Sequence, residues 1–160
     1  MDESLAHLRN TPNERGLRPK LPSLMDEAAD LRRIAVVGAV IVRDSQVMAA
    51  QRGGSGPLSG LWEFPGGKIE SDETARQALE REIVEELDCV VEVGDEVATT
   101  VHAYDFAEIT LTTFYCRLVD GEPRLSEHSA VQWLRPQDLN SVDWAPADIP
   151  AVALVKAHLG

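Results

Sequence analysis

Three carboxylates crowd one short stretch of this chain. In GGKIESDETARQALEREIVEELDC, residues 66–89, glutamates stand at 82, 85 and 86. At about 100° per residue, with Ala75 at the origin, Leu79 falls at about 40°, Ile83 at about 80° and Ala78 at about 300°, which marks an apolar stripe. Glu86 falls at about 20° and Glu82 at about 340°, inside the stripe, with Glu85 at its edge at about 280°. Ionised carboxylates on a core-facing side are costly unless paired, neutralised or bound to metal. Acids at i, i+3 and i+4 also repel at close range. Two resolutions are open: the oxygens are hard ligands for a divalent cation, or the acids lie at the stripe's margin and pair with arginines.

The elements that would position these acids are readable on either side. IAVVGAVIVR is a continuous Val/Ile-rich run, as in a buried strand. QVMAAQR follows the turn DSQ as a second strand, GGSGPLSG is a loop, and LWEF is a short strand after it. The spacing predicts a helix over residues 73–87, with Asp72 or Ser71 as N-cap. VVEVGDEVATTVHAY, ITLTTFYCRLV and AVQWL read as further strands, RPQDL as a helical turn, and IPAVALVKAHL as a closing amphipathic helix. The expected class is a mixed α/β or α+β layered domain over residues 34–160. Residues 1–33 contain three prolines and many charges, and read as an N-terminal arm with a short helix over 23–32.

Composition narrows the function. The chain has 160 residues, 44% of them apolar, enough for one domain with a real core. No apolar run approaches the roughly 20 residues that span a membrane, and the expected compartment is the cytoplasm. Cys89 and Cys116 match neither a disulfide framework nor a zinc spacing, and read as small buried hydrophobes. A net charge of −12 argues against duplex nucleic acid as partner. It leaves room for a small nucleotide whose charge is neutralised by metal.

Loop and helix together read Gly67, five residues, Glu73, seven residues, then REIVEELDC from Arg81 to Cys89. This resembles the Nudix box in register at Gly67, Glu73, Arg81, Glu82, Ile83, Glu85 and Glu86, with Cys89 as the final apolar position. One position departs: Asp88 stands where the pattern has Gly. That Gly ends the helix with φ > 0, which Asp tolerates better than most residues. AQR, EFPGGK and WAPADIP extend the similarity to MutT-type Nudix hydrolases and their CTP-pyrophosphohydrolase relatives.

The resemblance implies an α/β/α sandwich around a mixed sheet, with a central catalytic helix and a C-terminal helix. It implies Mg²⁺-dependent hydrolysis of nucleoside triphosphates to the monophosphate and pyrophosphate, with Mn²⁺ as a substitute metal. The metal set would be Gly66, through its carbonyl, with Glu82, Glu85, Glu86 and the loop acid Glu127. The four glutamates are the catalytic candidates, with Glu82 as general base. Gly67, Glu73 and Arg81 would be structural, the last two bracing loop against helix. Arg52 and Lys68 are candidates for substrate contact. The resemblance implies nucleotide-pool sanitation, 8-oxo-dGTP diphosphatase-like or (d)CTP pyrophosphatase-like: Asp148 would read the base, accepting from the exocyclic amine of cytosine or from the N1–H and amine of an oxidised guanine; equally, its place before IPAVALV suits a helix cap. Trp62, Phe114 and Trp144 read as core or base-stacking residues, and His102 and His128 as structural or surface. Two rival functions are an ADP-ribose or dinucleotide pyrophosphatase and a non-catalytic nucleotide-binding Nudix module.

Overall fold

The structure, a computed structural model, describes residues 32–125 and 128–160. The helix expected over 23–32 lies outside these residues apart from Arg32, which carries no regular structure. The long apolar run forms β1 (Arg33–Arg43), followed by β2 (Gln46–Arg52), β3 (Trp62–Glu63), β4 (Gly66–Lys68), α1 (Ala75–Leu87), β5 (Val90–Ala103), β6 (Glu108–Asp120), β7 (His128–Leu134) and α2 (Ile149–Leu159). Turns of 3₁₀ helix at Pro136–Ser141 and Pro146–Asp148 precede α2. The strands make one mixed sheet in the order β3-β2-β1-β6-β5, with β4 paired to β1 and β7 to β2. β1 and β6 run parallel, and the other pairs of named strands are antiparallel.

β1 is apolar at successive positions because both its faces are covered. Ala39 and Ile41 pack with Ala78, Leu79, Ile83 and Leu87 of α1. Val40 packs on the other side with Trp62, Phe64, Trp144 and the α2 residues Ala151, Val152 and Val155. Helix, sheet and helix form three layers. Leu79, Ile83 and Leu87 are fully buried, and each contributes roughly 1.5–3 kcal/mol relative to an exposed side chain. They press the acid-bearing helix against the sheet.

β1 changes partners along its length. Val36–Gly38 pair with β4, whereas Val42 and Arg43 pair with β2 through the two-residue turn Asp44–Ser45, both at positive φ. β4 was not expected: its GGK sequence reads as loop, and only pairing with β1 makes it a strand.

The helix starts later than its acidic first turn suggests. Its N-cap is Thr74, not Asp72 or Ser71. Thr74 Oγ1 accepts from the Gln77 N–H at 3.1 Å and Gln77 Oε1 accepts from the Thr74 N–H at 2.9 Å, a reciprocal capping box. Asp88 ends the helix at φ 52°, ψ 41°, the left-handed conformation expected where glycine is usual. Asp88→Gly should therefore leave stability unchanged or raise it by a few tenths of a kcal/mol. Asp88→Val should cost about 1–2 kcal/mol, since a branched side chain resists this conformation. Urea unfolding of the two variants measures both, and equal stabilities would contradict the cap assignment.

Candidate active site

The residues before α1 fold back onto it through one guanidinium. Arg81 Nε and Nη2 donate to the two oxygens of Glu73, and Nη2 also donates to the Lys68 carbonyl at 3.1 Å. Nη1 donates to Glu82 Oε1 at 2.8 Å and to Glu85 Oε2 at 3.1 Å. The Arg81 hydrogen bonds, then the bond from the Glu70 N–H, hold the Glu73 carboxyl below its ordinary pKa. Glu82 behaves oppositely: burial raises its pKa against the pull of Arg81.

Two glycines let loop, sheet and helix touch. A Cβ on Gly66 would overlap the Val37 carbonyl oxygen, and one on Gly67 would overlap the Glu82 carboxylate. Neither has positive φ, so close approach rather than backbone freedom requires glycine here.

Strand register assembles a second charged group. Arg52 lies beside His128 across β2 and β7, and Ala50 beside Glu63 across β2 and β3. Arg52 Nη1 donates to Glu63 Oε1 at 2.9 Å, and His128 Nε2 lies 2.9 Å from Glu63 Oε2. The His128 side chain is only 4% exposed. Burial lowers its pKa, but the Glu63 hydrogen bond and charge outweigh that and raise it.

Asp148 stands opposite, 6% exposed. It precedes α2 but makes no side-chain cap; its Oδ1 accepts from the Phe64 N–H at 3.0 Å. The helix-cap reading is thereby corrected: the carboxyl points back to the sheet. Burial pushes its pKa up to about 8 against that hydrogen bond.

These groups line one cleft of about 810 Å³. Arg52, Glu63, Gly66, Gly67, Lys68, Glu86, His128 and Asp148 border it, with Tyr104 and Phe106 at the β5–β6 turn. Glu82 and Glu85 are not on its lining, being held by Arg81, and Glu127 lies outside the described residues. A second cleft, of about 890 Å³, lies against α2 and has no box residue in its lining. Trp62, Phe114 and Trp144 are buried in the core; Trp144 satisfies its Nε1–H on the Leu139 carbonyl at 2.7 Å.

Glu63 was missed in the sequence. Its signal was the alternation Trp62-Glu63-Phe64, which turns the acid away from its buried neighbours. His128 lines the cleft rather than the surface, and no spacing in the sequence pairs it with Glu63. The donor chemistry suits a hard cation: carboxylates of one helix turn beside a glycine carbonyl. Among the described residues no three acidic, histidine or cysteine side chains already converge as a metal cluster; Arg81 engages two of the acids.

A family model described as the NUDIX domain matches residues 36–154. The CTP pyrophosphohydrolase of Escherichia coli (strain K12) is 40% identical over 120 residues, spanning 75% of this chain and 89% of that protein. The 8-oxo-dGTP diphosphatase of the same organism is 29% identical over 120 residues, spanning 75% and 93%. The solution structure of a DNA mismatch repair protein MutT (family Nudix hydrolase) from methicillin-resistant Staphylococcus aureus 252 superposes with a TM-score of 0.68 at 47% identity, covering 80% of this chain and 98% of that one.

The raised Asp148 pKa has a thermodynamic consequence. A carboxyl whose folded pKa lies above its unfolded value gives stability that is complete below the unfolded pKa and lost as pH rises through about 8. Asp148→Asn keeps the acceptor for Phe64 and removes the titration. Its melting temperature relative to wild type should rise between about pH 6 and about pH 9. A difference that does not vary with pH, followed by scanning fluorimetry, would contradict the assignment.

Proposed function

The chain belongs to the Nudix family of hydrolases, and from that membership we propose that it is a nucleoside triphosphate pyrophosphohydrolase. It releases the monophosphate and pyrophosphate, and so removes unwanted nucleotides from the cytoplasmic pool. The observation that supports this most is the single cleft joining Gly66, Gly67, Lys68 and Glu86 of the box region to the buried Asp148. One end carries phosphate chemistry and the other a hydrogen-bonding carboxyl suited to a base edge.

Nudix hydrolases generally need a divalent metal. Here Glu82, Glu85, Glu86, Glu127 and the Gly66 carbonyl would hold magnesium, with manganese as a substitute. When bound, the metal supplies charge to neutralise the polyphosphate and makes water more acidic. The chain's own groups supply the rest. Glu82 is the proton acceptor by the family resemblance, and its carboxylate lies against the Gly67 backbone. Arg81 donates to Glu82 Oε1 at 2.8 Å and fixes the carboxylate's orientation. Arg52 and Lys68 bring positive charge to the cleft for the phosphates. Asp148 Oδ2 has no hydrogen-bond partner among the described residues and faces the base.

Glu82→Gln and Glu86→Gln keep side-chain shape and remove one anionic oxygen each. Either should lower kcat by at least ~10² with saturating magnesium while the circular dichroism spectrum is unchanged. Near wild-type turnover in either would remove the metal assignment. Base choice is tested by Asp148→Ala with dCTP against dUTP. Loss of a hydrogen bond to this carboxyl should raise KM for the amine-bearing nucleotide roughly ten- to a hundredfold and leave dUTP nearly unchanged. An equal fall for both would leave Asp148 without a reading role.

A further inference from the structure

The aromatic residues that sequence alone offered for base stacking are core residues, yet one large ring stands exposed at the cleft. Phe106 is 45% exposed and lines the same cavity as Asp148. We propose that Phe106 is the stacking platform for the substrate base, and that Tyr104 ties this platform to the turn that carries Asp148. This rests on the nucleotide reading above and adds the residues that grip the base.

Three rings form a ladder along the β5–β6 connection. His102 and Tyr104 have centroids 4.5 Å apart, and Tyr104 and Phe106 lie 5.1 Å apart with only 9° between their planes. Offset-parallel stacking is one of the favoured arrangements of two rings, and a flat base extends such a ladder by one step. The turn is fixed: the Tyr104 N–H donates to the Ala107 carbonyl at 2.8 Å, and Ala107 is buried. Ile34, Val36, Ile109 and Leu111 add an apolar wall to the cleft. The Tyr104 hydroxyl accepts from the Ala147 N–H at 2.8 Å, one residue before Asp148. Stacking and hydrogen-bond reading of the base are thus joined through one phenol. Phe106 touches substrate; Tyr104 is a positioning residue.

Three variants test this: Phe106→Ala, Phe106→Trp and Tyr104→Phe. With dCTP, Phe106→Ala should raise KM about tenfold and change kcat less than about twofold, whereas Phe106→Trp should restore KM. Tyr104→Phe keeps the ring and loses the tether. It should reduce the dCTP-over-dUTP preference about fivefold without raising KM for both alike. Inorganic tripolyphosphate, which has no base, should be bound equally by all three and by wild type. Unchanged KM in Phe106→Ala would overturn the platform, and an unchanged preference in Tyr104→Phe would overturn the tether. Should wild type hydrolyse no nucleoside triphosphate, the proposed function falls separately. The platform is then decided by calorimetric binding of dCMP, which must weaken in Phe106→Ala for the inference to stand.

Discussion

Arg81 is the point at which loop, helix and acids constrain one another. Its planar fork makes two bonds to Glu73, one to the Lys68 carbonyl and one each to Glu82 and Glu85. A lysine could not replace it: an ammonium is a compact charge, whereas guanidinium offers five donors in a fixed plane. The arrangement answers the difficulty posed by three glutamates within one turn. Repulsion between Glu82 and Glu85 is relieved by a cation that the chain itself supplies, and Arg81's own pKa is driven upward by its bonds to Glu73 and Glu82. The arginine aligns the carboxylates and returns the loop to the helix, so that the glycine backbone lies against the acids.

Close approach is the second constraint, and it runs through the whole sandwich. β1 must reach β4 with no side chain at Gly66, and α1 must bring Glu82 against Gly67. Such contacts need rigid backing on both sides. The two core clusters provide it, one under α1 and one under α2, with β1 contributing alternate residues to each. The aromatic core serves placement as well as stability. Phe64 and Trp144 pack with ring centroids 4.7 Å apart, and the Phe64 backbone N–H fixes Asp148. Packing of apolar rings thereby sets the position of a polar group in the cleft.

Much of this was legible in the sequence, for physical reasons that differ by residue. The helical period marked Leu79 and Ile83 as buried, as found, and put Glu82 and Glu86 inside the same stripe, where both are half-buried. Asp88 at a glycine position announced a left-handed cap. The first reading depends on helical geometry alone, the second on the resemblance to the Nudix box. β4 was not legible, because two glycines and a lysine have no strand preference and become a strand only by pairing with β1. The Arg52–Glu63–His128 group was hidden too, since its members are brought together by strand register across three separate segments. Asp148 was visible as a candidate, but its alternative as a helix cap could be rejected only when its hydrogen bond to Phe64 was seen. Local pattern reveals faces and caps; sequence-distant pairing decides which side chains meet.

The acidity of the chain, −12 in net charge, gives a last reason for this design. A polyphosphate would be repelled by carboxylates left ionised and unpaired beside it. Several acids of the loop–helix unit and of the cleft are balanced in different ways. Glu73, Glu82 and Glu85 share Arg81. Glu63 is flanked by Arg52 and by His128, whose pKa the pair raises. Asp148 has no such partner, and burial keeps it protonated below about pH 8 instead. That last device has a use the ion pairs lack. A neutral carboxyl costs less to bury than a charged one and can offer both a donor and an acceptor. The cationic side chains Arg52 and Lys68 stand in the same lining as Glu63, Glu86 and Asp148, so the acidity of the chain is locally offset there.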